Sequence, residues 1–195
     1  MTKKEKLAKM IRIITVPPVL IMILLAILNT VSNHIFKSQS EVLLSVLLLV
    51  LVPAAAYPLQ PLFPSLKEKG REGQRNLAFI LNLAGYGIAV IYGAFSHVSS
   101  GLQLIYNTYF ISVFVLVIFN KIIKLRASGH ACSITGPLVF LIYFIGWKCI
   151  IPCCIVFLLV VWSSLTLKRH TIKDLTAGSI ICLIAFLCSF LIMGL

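Results

Sequence analysis

Long apolar stretches separated by short polar loops constrain this chain more than any other feature of its sequence. Of the 195 residues, 60% are hydrophobic and only 11% are charged. A soluble domain of this size could not bury so much apolar surface, whereas a bilayer helix requires about 20 consecutive apolar residues. We therefore predict an all-α fold for one domain over residues 1–195, a polytopic transmembrane bundle with its functional site at one membrane face.

Seven apolar stretches are long enough to be considered as membrane spans. The stretches 132–147 and 153–167 are short for the roughly 17–25 residues that a bilayer helix requires, so six spans with one re-entrant segment are the alternative. The sequence motifs described below lie within about residues 60–195, the part of the domain that we expect to carry the function. The seven stretches are 11–28, 42–59, 77–95, 104–122, 132–147, 153–167 and 175–195.

The charge of the chain is strongly positive, with 17 Lys and Arg against 5 acidic residues. No aromatic residues alternate with the cations and no zinc-type Cys/His spacing occurs, so we exclude nucleic acid and expect membrane lipids as partners. With alternating spans, every Lys and Arg except Lys37 and Lys148 falls on one side, which the positive-inside rule makes cytoplasmic. Cations of an anion site would not report orientation, so this prediction rests on the N-terminal ones, Lys3, Lys4, Lys6, Lys9 and Arg12.

Two basic loops on that side each hold a histidine at the end of an apolar stretch. Residues 128–130 read Ser-Gly-His, and residues 168–174 contain His170 and the single aspartate of the chain, Asp174. Positions i and i+4 share a helix face, so Asp174 can orient His170. Histidine is neutral and nucleophilic near pH 7, which suits attack on phosphorus, and a second histidine can protonate the leaving oxygen. Either loop alone is better explained as a marker of the cytoplasmic side, and it is the two loops together that indicate chemistry.

Groups that can hold phosphoryl oxygens lie on the same predicted face. Neutral donors are Ser128 and the backbone N–H groups of Gly129 and His130 at a predicted helix N-terminus. We predict that His170 is the nucleophile, that His130 is the general acid and that Asp174 orients His170. The candidate cations are Lys67, Lys69, Arg71, Arg75, Lys124, Arg126, Lys168 and Arg169.

These motifs resemble those of the type 2 phosphatidic acid phosphatase superfamily, whose membrane lipid phosphatases are related to the vanadium haloperoxidases. Residues 128–130 are similar to its Pro-Ser-Gly-His element, and residues 170–174 are similar to the His-x3-Asp end of its third motif, whose leading serine corresponds to Ser163. The 67–75 loop lies where a Lys-x6-Arg-Pro motif belongs. The resemblance covers about residues 67–178 and implies a phosphohistidine on His170, proton donation by His130 and no metal or other cofactor.

The chain also departs from the family pattern. Ala127 replaces the proline of the second motif, and Asn76 replaces that of the first, where no Lys and Arg are separated by six residues. The arginine that follows the leading serine of the third motif is Ser164, which removes a phosphate-binding guanidinium. Lys168 lies four residues further on, and because helical side chains lean toward the N-terminus, its ammonium could cover the same patch.

We expect an integral membrane, metal-independent phosphatase for a lipid phosphate or diphosphate. Phosphatidate, phosphatidylglycerophosphate and polyprenyl phosphates or diphosphates are the candidate substrates. Two other functions remain open. Loss of the guanidinium could leave a catalytically impaired relative that binds lipid phosphates or other anions, or the basic loops could belong to a small transporter or scaffold. The sequence leaves the lipid headgroup and the oligomeric state undetermined.

Overall fold

The chain folds into eight main helices in a computed structural model that describes residues 2–32 and 34–195, in which no strand occurs. Met1 of the basic N-terminal segment and Asn33 of the loop after the first predicted span lie outside the described residues. The all-α prediction is confirmed. The helices are α1 (Lys3–Ile14), α2 (Pro17–Val31), α3 (Gln39–Leu62), α4 (Gly70–Phe95), α5 (Ser100–Ile122), α6 (Gly129–Ile145), α7 (Ile150–Thr166) and α8 (Ile172–Met193).

Five of the described helices are long and apolar enough to cross a membrane: α3, α4, α5, α8 and α7, the last together with the short helical turn Trp147–Cys149 that precedes it. Helices α1 and α2 pass the same test together, as one span bent by 49° at the break before Pro17. Helix α6 has 17 residues and extends about 26 Å at 1.5 Å per residue, somewhat short of a hydrocarbon core of about 30 Å. Length and composition therefore give five spans, or six with the bent pair α1–α2, which agrees with the six-span alternative; the seven predicted spans require that the shorter α6 crosses as well.

The core of the bundle forms where α8 packs against α5 and α6, and where α4 packs against α5. An aromatic chain runs through this core, from Tyr86 to Tyr109 with ring centroids 5.5 Å apart, and from Tyr109 to Phe140 at 5.9 Å. The outer faces of α4 and α8 carry exposed Ile88, Ile91, Ile184 and Leu187. Such continuous apolar surface suits contact with lipid.

Small residues allow α4 to pack closely on two neighbours. A Cβ atom added at Gly85 would lie 3.2 Å from the Val52 side chain of α3, and one added at Gly93 would lie 3.0 Å from Tyr106 of α5. Ala89, between the two glycines, is fully buried. This small-residue stripe positions α4, whose first turns reach the candidate site described below.

Candidate functional site

One end of the bundle contains a cavity of about 260 Å³. Two histidines and three arginines line it: His130 of α6, His170 of the α7–α8 loop, Arg12 of α1, and Arg71 and Arg75 of α4. These residues are far apart in the sequence. The structure thus brings both predicted catalytic histidines together with two of the predicted phosphate-binding arginines.

Asp174 lies at the start of α8, where a single carboxylate oxygen, Oδ2, is close to three groups. It accepts a hydrogen bond from the Thr171 backbone N–H at 3.0 Å and lies 3.6 Å from Nε of Arg126 and 3.7 Å from Nδ1 of His170. A separation of 3.7 Å is a charge contact and is too long for a hydrogen bond. Asp174 therefore caps α8 through Thr171 while its charge lies beside the imidazole. The predicted proximity is present, but His170 precedes the N-cap of α8, so it does not come from a shared helix face.

Burial lowers the pKa of His170 to about 4, and the positive charges of Arg12 and Arg126 act in the same direction, against the opposing effect of Asp174. The imidazole is therefore neutral near pH 7, which is the nucleophilic form. Its Nδ1 lies on the side of Asp174 and has no hydrogen-bond partner among the described residues. The other ring nitrogen, Nε2, is left to react with a ligand.

Ser128 links the first turns of α6 and α8. Its Oγ accepts the Ala131 N–H at 3.2 Å as the N-cap of α6, and its own N–H donates to the Asp174 carbonyl oxygen at 2.9 Å. The side chain is fully buried, and Ser128 does not line the cavity, although Gly129 and His130 do. The structure thus places Ser128 as a helix cap that holds His130 in position, in place of the phosphate contact predicted for it.

Hydrogen bonds of Asn120 and Arg126 hold the first basic loop against α5 and against the second basic loop. Asn120 donates from Nδ2 to the Ala127 carbonyl oxygen at 3.2 Å, and its Oδ1 accepts the Ala127 N–H at 3.3 Å. Arg126 donates from Nη2 to the Arg169 carbonyl oxygen at 3.3 Å. Arg126 and Arg169 therefore join the loops and do not line the cavity. Asn120 was recognisable in the sequence as a polar residue within a span, but its partner was not.

Four further predicted cations, in addition to Arg126 and Arg169, do not line the cavity. All four are exposed: Lys67, Lys69, Lys124 and Lys168. The suggestion that Lys168 covers the patch beside Ser164 required a helix that continues through both residues. Helix α7 ends at Thr166, and Lys168 has a backbone φ of 49°, so the i+4 relationship is lost.

Arg12 is the cavity cation that was not predicted from the sequence to bind phosphate. Its Nη1 donates to Oγ of the fully buried Ser164 at 3.2 Å, because α1 packs along α7. From the sequence, Arg12 served only to predict the orientation of the chain in the membrane. Because Arg12 lines the cavity, that prediction rests on the four N-terminal lysines alone. One signal was present: Arg12 is the only arginine among the five N-terminal cations and the one furthest into the apolar stretch.

The cavity continues from its cationic end into the bundle. Along α4 the lining runs from Arg75 past Phe79 and Asn82 to Tyr86, which corresponds to about 16 Å at 1.5 Å per residue. Three buried oxygens of the inner lining have no hydrogen-bond partner among the described residues: Asn82 Oδ1, Tyr109 Oη and Ser112 Oγ. The cavity therefore combines a cationic end with an interior that is largely apolar and carries a few polar groups.

The lining suits an anion. Within residues 2–32 and 34–195 no three His, Cys, Asp or Glu side chains are grouped so as to hold a metal ion. None of Arg12, Arg71 and Arg75 forms an ion pair with a described carboxylate. Guanidinium groups present N–H donors in a fork that matches phosphate oxygens, and a bound anion would compensate their charge.

Comparison of the chain with protein-family models, with curated proteins and with solved structures finds no match in any of the three.

Proposed function

We propose that this protein is an integral membrane phosphatase that hydrolyses a lipid phosphate or diphosphate, as its resemblance to the type 2 phosphatidic acid phosphatases implies. The observation that carries the proposal is the convergence of His130, His170 and three arginines on one cavity, at one end of an apolar helical bundle. A nucleophile, a proton donor and phosphate-binding groups are the parts that such a reaction requires.

In the first step, Nε2 of His170 attacks phosphorus and the bond between phosphorus and the lipid oxygen breaks. His130 donates a proton to that oxygen, so the lipid leaves as an alcohol, or as a lipid phosphate if the substrate is a diphosphate. His170 then carries the phosphoryl group. The carboxylate of Asp174, 3.7 Å from Nδ1, stabilises the positive charge that the imidazole gains.

In the second step, water attacks phosphorus and the P–N bond breaks. His130, now neutral, takes a proton from the water, and inorganic phosphate is released as His170 is regenerated. The first step requires a protonated His130. Burial, the charge of Arg12 and the neighbouring His170 lower the pKa of His130 to about 3, so the negative charge of a bound substrate is needed to favour that form. Arg71 and Arg75 would bind the non-bridging oxygens, where charge must be stabilised during transfer.

The surroundings of the cavity favour an amphiphilic substrate. Five of the helices are apolar enough to lie in a membrane, so a lipid headgroup can reach the cationic end of the cavity from the bilayer surface. Phosphatidate, phosphatidylglycerophosphate and polyprenyl phosphates or diphosphates are all compatible with this arrangement. The four N-terminal lysines, Lys3, Lys4, Lys6 and Lys9, support a cytoplasmic location for the site.

The test is phosphate release by the detergent-purified protein from a panel of these lipids, with EDTA present. We expect release to persist in EDTA and to be abolished in His170→Ala. The matched control is His34→Ala, which removes an exposed histidine beyond the end of α2 and should release phosphate at the wild-type rate.

Equal rates for His170→Ala and wild type would overturn the phosphohistidine mechanism. Release that EDTA abolishes would indicate a metal-dependent reaction instead. No release from any lipid by well-folded protein would favour the non-hydrolytic anion-binding function.

A further inference from the structure

Helix α1 reaches the candidate site through one side chain. Its four lysines, Lys3, Lys4, Lys6 and Lys9, are exposed, whereas Arg12 lines the cavity with both histidines. A helix that served only to orient the chain in the membrane would not need a cation at this position. Arg12 therefore requires a separate explanation.

Ser164 holds the guanidinium of Arg12 in place. Nη1 of Arg12 donates a hydrogen bond of 3.2 Å to Oγ of Ser164, and Ser164 is fully buried. A guanidinium carries five N–H donors, so donors remain for a ligand. Because the hydrogen bond joins residues 152 positions apart, it also fixes α1 against the end of α7.

The charge of Arg12 has no counter-ion in the described part of the chain. The ion pairs there are Lys121 with Glu72 and Asp174 with Arg126, and Asp174 also lies beside the neutral imidazole of His170. Arg71 and Arg75 of α4, on the same cavity, are likewise without a carboxylate partner among the described residues. Arg71 and Arg75 are exposed, whereas Arg12 is half-buried. A half-buried cation without a partner is unfavourable, and an anion bound between α1 and α4 would offset that cost for Arg12.

We propose that Arg12 is a phosphate-binding residue of this site, held by Ser164 and acting together with the arginines of α4. Its guanidinium takes the place of the one that is missing at position 164, and the site is incomplete without α1. The catalytic consequence rests on the proposed phosphatase function. Anion binding by Arg12 does not, and it can be measured whether or not the protein hydrolyses a lipid.

The first experiment measures binding of inorganic phosphate to the full chain in detergent, from the shift of the thermal unfolding midpoint with phosphate concentration. The variants are Arg12→Gln and, as the matched control, Lys9→Gln, which removes one positive charge from the exposed face of the same helix. We expect wild type and Lys9→Gln to bind alike and Arg12→Gln to bind at least about tenfold more weakly, since charge-assisted hydrogen bonds are lost.

Arg12→Lys keeps the charge and removes the fork, and it serves if Arg12→Gln does not fold. We expect it to bind phosphate more weakly than wild type, since an ammonium cannot form paired hydrogen bonds. If the protein releases phosphate from a lipid, methylguanidine added to Arg12→Gln should restore part of the lost rate, and it should leave Lys9→Gln unchanged. A purely structural role of Arg12 would not give this rescue.

Phosphate binding that is the same in wild type, Arg12→Gln and Arg12→Lys would overturn the inference, even if lipid hydrolysis is confirmed. Absence of phosphate binding by wild type would overturn it as well. Arg12-dependent phosphate binding in a protein that hydrolyses no lipid would support the inference while the proposed phosphatase function fails.

Discussion

The carboxylate of Asp174 has two roles that substitutions can separate. Its Oδ2 accepts the Thr171 N–H and lies beside His170. Asp174→Asn keeps an oxygen that can accept the N–H but removes the charge that steadies the imidazole. We expect the thermal unfolding midpoint to change little and kcat for phosphate release to fall at least about tenfold, the direction known for carboxylates that orient catalytic histidines.

Thr171→Ala is the complementary variant, because it removes the hydroxyl that caps α8 and leaves the carboxylate. Loss of such a cap costs about 1 kcal/mol of stability, so this variant should unfold earlier and retain most of its kcat. The reverse pattern, with Asp174→Asn destabilised but fully active, would show that the carboxylate serves only the helix cap.

The pKa of His170 predicts a pH dependence. Burial and the charges of Arg12 and Arg126 lower it to about 4, so the imidazole loses its nucleophilic form only as the pH falls toward that value, well below the range of an ordinary histidine near 6.5. Arg12→Gln removes a positive charge, which should raise the pKa and move the acid limb of kcat/KM to higher pH.

Profiles of kcat/KM against pH for wild type, Arg12→Gln and Lys9→Gln check this expectation. The substrate phosphate titrates identically in all three, so the difference between variants reports the enzyme. An acid limb that does not move in Arg12→Gln would place the charge of Arg12 too far from His170 to affect it.

At the scale of the elements, Gly178 sets how closely α8 approaches α6. A Cβ atom there would collide with the Ser128 carbonyl oxygen and lie 3.2 Å from the Cys132 nitrogen. Gly178→Ala should therefore push the start of α8, with Asp174, away from His130. We expect a destabilisation of about 1–3 kcal/mol, typical of overpacking, together with loss of phosphate release.

Gly87→Ala is the control for this substitution, since the nearest atom to the new Cβ would be Phe110 at 3.5 Å, an ordinary contact. It should leave activity and the thermal midpoint at or above wild-type values, because alanine favours a helix more than glycine does. If both variants behave like wild type, the close approach of α8 to Ser128 is not required for the site.

The ends of helices α4 and α7 differ from those predicted from the sequence. The 67–75 loop was predicted from its charges, but α4 begins at Gly70, so Arg71 and Arg75 lie four residues apart on one helix face and both line the cavity. Charge is a poor guide to where a membrane helix ends, because a helix can continue beyond the bilayer core. The same uncertainty placed Lys168 in a helix that had already ended.

At the scale of the whole molecule, helix direction predicts sidedness. Helices α4, α6 and α8 begin at the end of the bundle that holds the cavity, so the C-terminal end of α8 should lie at the opposite face. We expect an alkaline phosphatase fused after Leu195 to be active when the protein is produced in bacteria, and a fluorescent protein fused before α1 to fluoresce in the cytoplasm.

This prediction does not depend on whether α6 crosses the membrane fully. Helix α6 leaves the cavity end and α7 returns to it, so a complete pair of spans and a shorter hairpin give the same sidedness for the remaining helices. An inactive alkaline phosphatase fusion at Leu195 would place the cavity on the outer face of the membrane and contradict the predicted sidedness.

The sequence by itself determined that the chain is helical, that several helices are apolar enough for a membrane, and that Asp174 can contact His170. These features depend on composition and on residues within one or two helical turns. Only the tertiary structure decided that Arg12 contacts Ser164, that the Ser128 N–H donates to the Asp174 carbonyl oxygen, and that buried oxygens face the interior. Such contacts join positions up to 152 residues apart, and they arise from helix packing, which no local pattern encodes.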